Sequence, residues 1–493
     1  MSLKFINAAP LKQSNLAPWP MWLMKDCVND ISPYISTLFH ISLTSSCVPP
    51  TLKEAYITPI IKKPQLERTN INNYQPISNH SVISKLLERA VCAQLAEYLD
   101  NNNLMLPNQP GYRRSHSTET AQTAVFSDII SELDRGTLVL LSMLDLSAAF
   151  YCIDHDILLN RLNTSYGIRS SSHQWMTSYL SSRTQSVRYN GSASPAEITH
   201  FGVPQVSVLG PLLFLLYTAD FHRITTRHGF RSHYYVDDSQ LHISCSPAEA
   251  QQYRMRECTI KCIADINVFL RSNRLRLNPT KTEFLWCATA RRRHQVNLEP
   301  IHINTVDIAP SVNVRNSGVM MDGDFSMITH VKNQVRSCFH SLRQIRVIRR
   351  SLTKKAAKIL VSSFICSRID YCNAVFAGLP KYTTNHLDSV LHAAARMISG
   401  RSKYDHITSI LRDELHWLPV PQRVKYKLCL TTYKAINGTA PSYISAMCVP
   451  SSTNQARLRL RSSDSCQLLL PWTKTEFGNG PSRMRDLTYG MTC

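Results

Sequence analysis

The chain has 493 residues and carries 55 Lys and Arg against 34 Asp and Glu, which gives a formal net charge of +21. This length is enough for two or three domains with substantial cores. The positive excess is large for a soluble enzyme of small substrates and favours polyanionic partners, first nucleic acid and then acidic membrane surface.

The apolar stretches are too short to cross a membrane. The longest, 206–217, contains Gly210 and Pro211, whereas a spanning helix needs about 20 apolar residues. The N-terminal segment also lacks the basic-then-apolar layout of a signal peptide. We therefore expect an intracellular protein, in the nucleus, the cytoplasm or both, that is not secreted and has no membrane partner.

The fifteen cysteines do not have the spacing of a zinc site. Cys258 and Cys262 lie one helical turn apart, without a second Cys or His pair nearby to complete a tetrahedral set. Cys366 and Cys372 are likewise without partners in sequence. Because no secretory signal is present, we predict buried free thiols and no disulfide or zinc framework.

The N-terminal part of the chain is predicted to be mostly helical. Apolar markers predict a helical lead-in over residues 1–50. A short β-strand is predicted at 55–61 and is followed by Lys62. Apolar residues recurring at helical spacing predict amphipathic helices at 83–101 and 119–133.

The middle third has the strongest β-pattern. The apolar run Leu138–Leu144 predicts a strand that ends at Asp145. A helix is predicted at 154–162, where Asp154 and Asp156 suit the positive end of the helix dipole. Strands are predicted at 185–189 and 197–201 around the hairpin signal Asn190-Gly191, helices at 212–221 and 248–272, and a strand at 284–287.

Two adjacent carboxylates, Asp237 and Asp238, lie at the tip of a predicted hairpin. Two acids at a turn are commonly just a solvated turn. Asp145 adds a third carboxylate at a strand end, and three such groups are what a protein needs to hold two Mg²⁺ ions for phosphoryl transfer. The residues alone leave both interpretations open, a solvated turn and a nucleotide-polymerising site.

Beyond residue 330 the pattern is helical, and the segment 341–358 is strongly basic. It contains no acid and seven cations, namely Arg343, Arg346, Arg349, Arg350, Lys354, Lys355 and Lys358. Such a run is commonly a solvated helix face. It also suits a track for a duplex backbone, where each cation replaces condensed counterions. Both interpretations stay open on the residues alone.

Several ordered motifs resemble those of reverse transcriptases. Segments similar to successive palm motifs are 145–150 (DLSAAF), 202–205 (GVPQ), 235–238 (YVDD) and 281–283 (KTE). Segments similar to the fingers motifs of the non-LTR (LINE-type) retrotransposon branch are 73–78 and 111–120, and those similar to its helical region after the palm are 367–373 and 415–420. The similarity runs from about residue 20 to about residue 445.

The resemblance implies an α+β right-hand polymerase with fingers, a palm whose antiparallel or mixed sheet is backed by helices, and a helical thumb. The domains expected from it are a helical lead-in at 1–50, fingers at 51–135, the palm with the catalytic motifs at 136–330, a helical thumb with the following helices at 331–447, and an irregular C-terminal tail at 448–493.

The resemblance further implies that Asp145 and Asp237 are the principal ligands of two Mg²⁺ ions, with Mn²⁺ as a substitute. Asp238 would complete the acidic cluster. The ions would lower the pKa of the primer 3′-hydroxyl, align it on the α-phosphate and neutralise charge on the leaving pyrophosphate.

Four residues match substrate contacts of the family. Phe150 matches the bulky position that excludes a ribose 2′-hydroxyl, and Gln205 matches the residue that lines the nascent base-pair pocket. Lys281 matches a palm lysine that can donate a proton to pyrophosphate, and Lys62 matches a fingers lysine that grips the triphosphate. A buried aromatic for Phe150 and a surface charge for Lys281 are the structural alternatives.

The residues expected to contact nucleic acid are Arg113, Arg114, Arg346, Arg349, Arg350, Lys354 and Lys355. The segment 314–319 resembles the hairpin that supports the primer end.

Three unfavourable substitutions depart from the family pattern, and Pro110 is a milder departure in place of a serine. Gln75 stands where an arginine is expected to hold the incoming triphosphate, and a neutral amide loses that charge-assisted bidentate contact. Tyr151 replaces the aspartate that normally follows Phe150. Val206 replaces the glycine of the Pro-Gln-Gly motif, where a positive φ would strain a β-branched residue.

The expected function is RNA-directed DNA polymerase of a retrotransposon, with an RNA template, a DNA primer and deoxynucleoside triphosphates as partners. The family usually carries an N-terminal endonuclease, which nothing before residue 50 could house, so an endonuclease would act in trans. The alternative is a decayed element copy that keeps the fold and binds nucleic acid with little or no polymerase activity. A purely structural or interaction protein is disfavoured by the complete acidic triad.

Overall fold

A computed structural model describes residues 2–10, 19–106, 108–147, 149–204, 206–303, 306–449 and 468. It is an α+β structure, as predicted. The helices are α1 (Ser2–Ala8), α2 (Met21–Asp26), α3 (Val28–Thr44), α4 (Val82–Asn101), α5 (Thr118–Asp134), α6 (His155–Thr164), α7 (Ser170–Leu180), α8 (Gly210–Thr218), α9 (Phe221–Arg227), α10 (Glu249–Ser272), α11 (Ile328–Ile348), α12 (Lys354–Val361), α13 (Ser367–Asp370), α14 (Lys381–Ser399), α15 (Val420–Ile436) and α16 (Ser442–Ser445).

The strands are short and are grouped in two sheets and two hairpins. They are β1 (Glu54–Ile61), β2 (Tyr74–His80), β3 (Leu138–Leu144), β4 (Arg183–Tyr189), β5 (Ser192–Ala193), β6 (Glu197–Thr199), β7 (Arg231–Tyr235), β8 (Asp238–Cys245), β9 (Glu283–Cys287), β10 (Ile301–Ile303), β11 (Val306–Ile308), β12 (Asn313–Asn316) and β13 (Val319–Asp322). Among the described helices, none has the length and apolar character needed to cross a membrane.

The chain divides into two compact units, and each is built from three separate segments. The first unit comprises 1–106, 146–224 and 265–278, and the second comprises 107–145, 225–264 and 279–493. The finger, palm and thumb boundaries expected from the sequence stay a prediction. The expected C-terminal tail at 448–493 lies, apart from 448, 449 and 468, outside the described residues.

The sheet of the first unit has the strand order β2-β1-β4-β5, and β6 pairs with β4. β1 and β2 are antiparallel, whereas β1 and β4 are parallel. Between β4 and β5, Asn190 and Gly191 have φ values of 48° and 83°. This is the left-handed pair that a type I′ hairpin turn requires, so the predicted Asn-Gly turn is confirmed. The pattern did not reveal the two-residue strand β5.

The sheet of the second unit has the order β7-β8-β3-β9, and all of its neighbours are antiparallel. All seven residues of the central strand β3 are buried, which explains why Leu138–Leu144 is apolar at every position except Ser142 and does not alternate. The core of this unit joins α5, β3, β9 and the β12–β13 hairpin to α11, α14 and α15. The strand that ends at Asp145 is therefore held on several sides.

Local hydrogen bonds explain where several predicted helices begin. The Ser117 side chain accepts from the Thr120 backbone N–H, and the Thr120 side chain accepts from the Ser117 backbone N–H, so α5 starts with a reciprocal capping box. The Asp154 carboxylate caps α6 by accepting from the backbone N–H groups of Asp156 and Ile157. This confirms the structural role predicted for Asp154.

Candidate polymerase active site

Three carboxylates meet at one end of the sheet in the second unit. β7 and β8 are joined by the two-residue turn Val236-Asp237, and Tyr235 pairs with Asp238 across it. β8 is also antiparallel to β3, with Ser239 opposite Leu144. Asp145 directly follows β3 and therefore lies beside Asp238 at the same edge. The strand register thus brings together the three acids selected from the sequence.

A buried glutamine holds the turn that carries Asp237. Val236 has a φ of +63°, a conformation that is costly for a β-branched residue. The Gln109 side-chain Oε1 accepts from the Val236 backbone N–H at 3.2 Å and from the Gly111 backbone N–H at 3.1 Å. Gln109 is buried, so these bonds are shielded from water. This role could not be predicted from sequence patterns, because Gln109 and Val236 are far apart along the chain.

The electrostatics of the acidic cluster favour a bound cation. Burial and the neighbouring carboxylates Asp237 and Asp145 raise the pKa of Asp238 to about 6. Burial, followed by the charge of Asp145, also raises the pKa of Asp237. The Lys281 ammonium lies 3.2 Å from an Asp145 carboxylate oxygen. The three carboxylates of the cluster thus lie near a single lysine ammonium in the described part of the chain, that of Lys281.

A cleft of about 360 Å³ opens beside the acids. Its polar lining includes Asp145, Asp238, Thr280, Lys281, Glu283 and Arg315. Lys281 precedes β9, which pairs with β3 in a register that sets Glu283 opposite Met143. Arg315 is exposed on β12, within the hairpin predicted to support the primer end. Its position on the cleft was not identified from the sequence.

The acidic cluster has the donors that a hard divalent cation prefers. Mg²⁺ and Mn²⁺ are bound through carboxylate oxygens, with water and phosphate oxygens completing the shell. The raised pKa values of Asp237 and Asp238 reflect burial and crowding of negative charge, which a dication would offset. Asp145, Asp237 and Asp238 therefore fit the divalent metal ions that reverse transcriptases use.

Phe150 and Tyr151 belong to the first unit. The Phe150 ring packs on the buried Phe214 ring, with centroids 4.8 Å apart. The Tyr151 hydroxyl donates to the Pro76 carbonyl at 2.9 Å, and burial raises the pKa of Tyr151. A side chain at Gly202 would come within 2.9 Å of the Phe150 and Tyr151 carbonyl oxygens. Only glycine therefore fits at this close approach.

The loop after Gly202 contains the strained valine anticipated from the sequence. Val206 has a φ of +70° and is 53% exposed. A β-branched residue is strained at this φ and gains little from burial here. Gln205, predicted to line the base-pair pocket, lies outside the described residues.

Lys62 and Gln75 lie in the first unit, at the end of the β1–β2 pair where residues 62–73 connect the two strands. Gln75 is exposed on β2 opposite Ile60. Lys62 follows β1, and its ammonium donates to the Asn72 carbonyl at 2.8 Å. Both side chains lie at the surface of the first unit, where a phosphate-binding role stays a prediction.

The residues predicted to contact nucleic acid have different surroundings. Arg114, Arg346, Arg350 and Lys355 are exposed, Arg113 is half-buried, and Lys354 is paired with Glu414. The Arg349 guanidinium instead donates to the carbonyls of Leu352, Met397 and Ile398, at 2.8 to 2.9 Å. Arg349 is therefore part of the packing between α11 and the end of α14.

The sequence of the chain is similar to those of known proteins. Residues 61–314 match the family described as reverse transcriptase (RNA-dependent DNA polymerase). Because this match spans more than half of the chain, the protein belongs to the reverse transcriptase family. The matched segment contains all three acids and Lys281.

Individual relatives agree with this assignment. The chain is 25% identical over 394 residues to the probable RNA-directed DNA polymerase from transposon BS of Drosophila melanogaster, across 77% of this chain and 42% of that protein. It is 29% identical over 187 residues to the probable RNA-directed DNA polymerase from transposon X-element of the same species, and 27% identical over 187 residues to the RNA-directed DNA polymerase from mobile element jockey of Drosophila funebris. Each of these two matches covers 38% of this chain and 20% of the relative.

The chain thus spans less than half the length of these relatives. The matches confirm the resemblance that the ordered motifs predicted. The structure of apo telomerase from Candida Tropicalis aligns over 83% of this chain and 71% of that chain, with 12% identity and a TM-score of 0.40. That similarity is too low to establish a shared fold by itself.

Proposed function

We propose that the chain carries the polymerising centre of an RNA-directed DNA polymerase of a retrotransposon. In this reaction a DNA primer is extended on an RNA template from deoxynucleoside triphosphates. The observation that carries the proposal is the meeting of Asp145, Asp237 and Asp238 at one sheet edge, beside a cleft bordered by Lys281. The names of the relatives, which are RNA-directed DNA polymerases, support the same activity.

In this proposal Asp145 and Asp237 hold two Mg²⁺ ions, for which Mn²⁺ can substitute, and Asp238 completes the negative charge of the site. When bound, such ions lower the pKa of the primer 3′-hydroxyl and offset the charge of the transferred phosphate. The protein's own contribution is positional. Because strand pairing and the Gln109 hydrogen bonds fix the carboxylates, little reorganisation is needed during the reaction.

The cationic side of the cleft would bind the triphosphate. Lys281 lies 3.2 Å from Asp145, a position from which its ammonium donates a proton to the leaving pyrophosphate. Arg315 adds a second cation to the same cleft. Lys62 grips the triphosphate from the fingers, Phe150 excludes the 2′-hydroxyl of a ribonucleotide, and Gln205 lines the base-pair pocket.

The nucleic-acid partners follow from the same assignment. Arg113, Arg114 and the exposed cations of the segment 346–355 bind the template–primer backbone, and the net charge of +21 strengthens this attraction. In this proposal an endonuclease creates the primer. Because RNA templates and nucleotides are intracellular, the protein would act in the nucleus or the cytoplasm.

A second candidate is a decayed polymerase that keeps the fold and binds nucleic acid. The observation that favours it is the φ of +70° at Val206, where a β-branched residue occupies a backbone conformation that suits glycine. Gln75 and Tyr151 add to it, because each replaces a charged residue of the family pattern. The acidic cluster is common to both candidates, so the geometry of the metal ligands does not separate them.

Primer extension separates the two candidates. The chain and the variant Gln75→Arg, Tyr151→Asp, Val206→Gly are compared on poly(rA)/oligo(dT) with Mg²⁺ or Mn²⁺. Comparable extension by both proteins supports an active polymerase and contradicts decay. Extension only by the triple variant supports the decayed copy. If neither protein extends the primer, the proposed polymerising centre is wrong.

A further inference from the structure

Two histidines and an aspartate meet on the sheet of the second unit, away from the acidic turn. His242 is on β8, and its register partner on β7 is Arg231. His233 lies two residues beyond Arg231, so it projects from the same face as His242 at a diagonal position. The two rings are nearly parallel, with centroids 5.6 Å apart. Asp128, on α5, approaches the pair from the helix that packs against β7.

These three side chains have the donor atoms of a metal site within reach of one another. The Asp128 carboxylate Oδ2 lies 2.9 Å from His233 Nε2. One donor atom from each of Asp128, His233 and His242 can be chosen so that all lie within 4.8 Å of one another. In a tetrahedral zinc site the donors lie about 3.3 Å apart, given a Zn–N distance of about 2.0 Å. A small movement of the three side chains towards one another would therefore bring their donor atoms to the separation of a zinc site.

His242 provides an independent indication of a ligand. It is only 2% exposed, and neither of its ring nitrogens has a hydrogen-bond partner among the described residues. Buried polar groups are nearly always paired, so an unpaired buried imidazole needs a physical explanation. A metal ion bound between His242, His233 and Asp128 would be such an explanation, because it would occupy a lone pair of the His242 ring that otherwise has no partner.

The charges around the cluster are compatible with a cation. Burial and the neighbouring His233 lower the pKa of His242 to about 3, so its imidazole is neutral at pH 7 and able to bind metal. Burial disfavours the charge of Asp128, but the hydrogen bond and charge of His233 outweigh it and lower the pKa of Asp128. The nearby cations Arg231 and Arg135 are both paired with Glu132, at 3.7 and 2.7 Å.

We propose that Asp128, His233 and His242 bind a divalent transition-metal ion of the zinc class, with water in the remaining position. Two imidazoles and one carboxylate are borderline donors that suit Zn²⁺ better than Mg²⁺. The site uses no cysteine, so the cysteine spacing could not reveal it, and its residues are too dispersed to form a sequence motif. The ion would link α5 to the β7–β8 hairpin, whose turn carries Asp237.

Cobalt and zinc binding test this site without relying on polymerase activity. The purified chain is treated with a chelator, desalted and titrated with Co²⁺, which is then displaced with Zn²⁺. We expect visible d–d absorption that saturates at one equivalent, with no thiolate-to-cobalt band in the near ultraviolet. Binding should weaken on acidification, because protons compete with the metal ion for its ligand atoms.

Two variants and a control identify the ligands. Asp128→Asn alters a partly exposed side chain and should lower Co²⁺ affinity at least about tenfold, and His242→Gln should do the same. His302→Ala removes the exposed His302–Asp307 pair on β10–β11 and should bind Co²⁺ as the parent does. Circular dichroism of each variant checks folding, and Asp128→Asn serves as the decisive variant if His242→Gln does not fold.

Three outcomes would overturn the proposal. They are the absence of cobalt absorption in the parent chain, a thiolate band in its spectrum, and unchanged affinity in Asp128→Asn. In each of these cases Asp128 and His233 form an ordinary hydrogen-bonded pair beside a buried histidine. None of these outcomes bears on primer extension, so the zinc-class site and the polymerising centre can fail separately.

Discussion

At the scale of single residues, two valines with left-handed backbone occur in segments that resemble polymerase motifs. Val236 and Val206 have φ values of +63° and +70°, and β-branched side chains avoid this region. Val236 is stabilised by the hydrogen bond from its N–H to Gln109. Val206 is exposed and follows the Pro-Gln pair of the palm motif. Strain of this kind costs on the order of 1–3 kcal/mol.

Replacing Val206 with glycine should stabilise the first unit. Release of the strain outweighs the flexibility that glycine adds to the unfolded chain, so we expect a gain of about 1 kcal/mol. The measurement is the Tm by scanning calorimetry. Val187→Gly on β4 is the matched control, because Val187 is also exposed and has an extended backbone. Val187→Gly should lower the Tm. If Val206→Gly lowered the Tm by the same amount, the proposed backbone strain at Val206 would be contradicted.

Acid should destabilise the protein through His80. Burial, with the charges of Arg183 and Lys85, lowers the pKa of His80 from 6.5 to about 3. The unfolded chain therefore takes up a proton near pH 6.5 while the folded chain does not. The stability is complete above pH 6.5 and falls as the pH decreases towards 3, at about 1.4 kcal/mol per pH unit.

The variant His80→Gln should remove this component of the pH dependence. We expect its Tm to fall less steeply than that of the parent between pH 6.5 and pH 5. His294→Gln, which changes an exposed histidine, is the control and should follow the parent. Parallel curves for His80→Gln and the parent would show that His80 is not held neutral in the folded state.

At the scale of secondary-structure elements, the strands that end at the acids were predictable because their patterns are local. Leu138–Leu144 is an apolar run interrupted only by Ser142, and the structure has a strand with these bounds. The acidic turn follows from the β-prone residues around Asp237. The Gln109 hydrogen bonds could not be predicted, because they join residues that only the folded chain brings together.

Removing the Gln109 acceptor should loosen the acidic turn. Gln109→Met has a similar shape but leaves the buried N–H of Gly111 and the partly buried N–H of Val236 without their acceptor. A fully buried group left unpaired costs about 1–3 kcal/mol. We expect Gln109→Met to have a lower Tm. We also expect its primer extension to fall by more than the decrease in the folded fraction of the protein explains. Gln251→Met, at an exposed position on α10, is the control. Full extension activity in Gln109→Met would contradict the role of the turn.

The basic segment after α11 separates into two kinds of arginine. Arg349 donates to three carbonyls, whereas the neighbouring Arg350 is exposed. We expect Arg349→Ala to lower the Tm, because the carbonyls at the end of α14 lose their donor. Arg350→Ala should leave the Tm unchanged, weaken RNA binding and reduce the salt slope by about one unit. Filter binding across a salt series measures the slope. If Arg350→Ala lowered the Tm and Arg349→Ala weakened RNA binding instead, the distinction between the two arginines would be refuted.

At the scale of the whole molecule, the α+β class and the order of most elements followed from the sequence, but the division into units did not. Each compact unit combines three distant segments of the chain. Periodicity reports which residues face a core, but it does not report which core they share. The Asp128, His233 and His242 cluster was missed for the same reason, because pairing between β7 and β8 creates it.

The central claim is that the acidic cluster in the second unit is a polymerising centre. Its most direct test is primer extension by Asp237→Asn, prepared in the parent or the triple variant, whichever is active. Asp307→Asn, at an exposed acid on β11, is the control. Asparagine keeps the shape of the side chain but removes the charge that would hold the ions. We expect Asp307→Asn to extend at the parent rate and Asp237→Asn to fall to background. An Asp237→Asn protein that retains more than about a tenth of the parent rate would contradict the claim, since a neutral amide cannot replace a ligand carboxylate of the two ions.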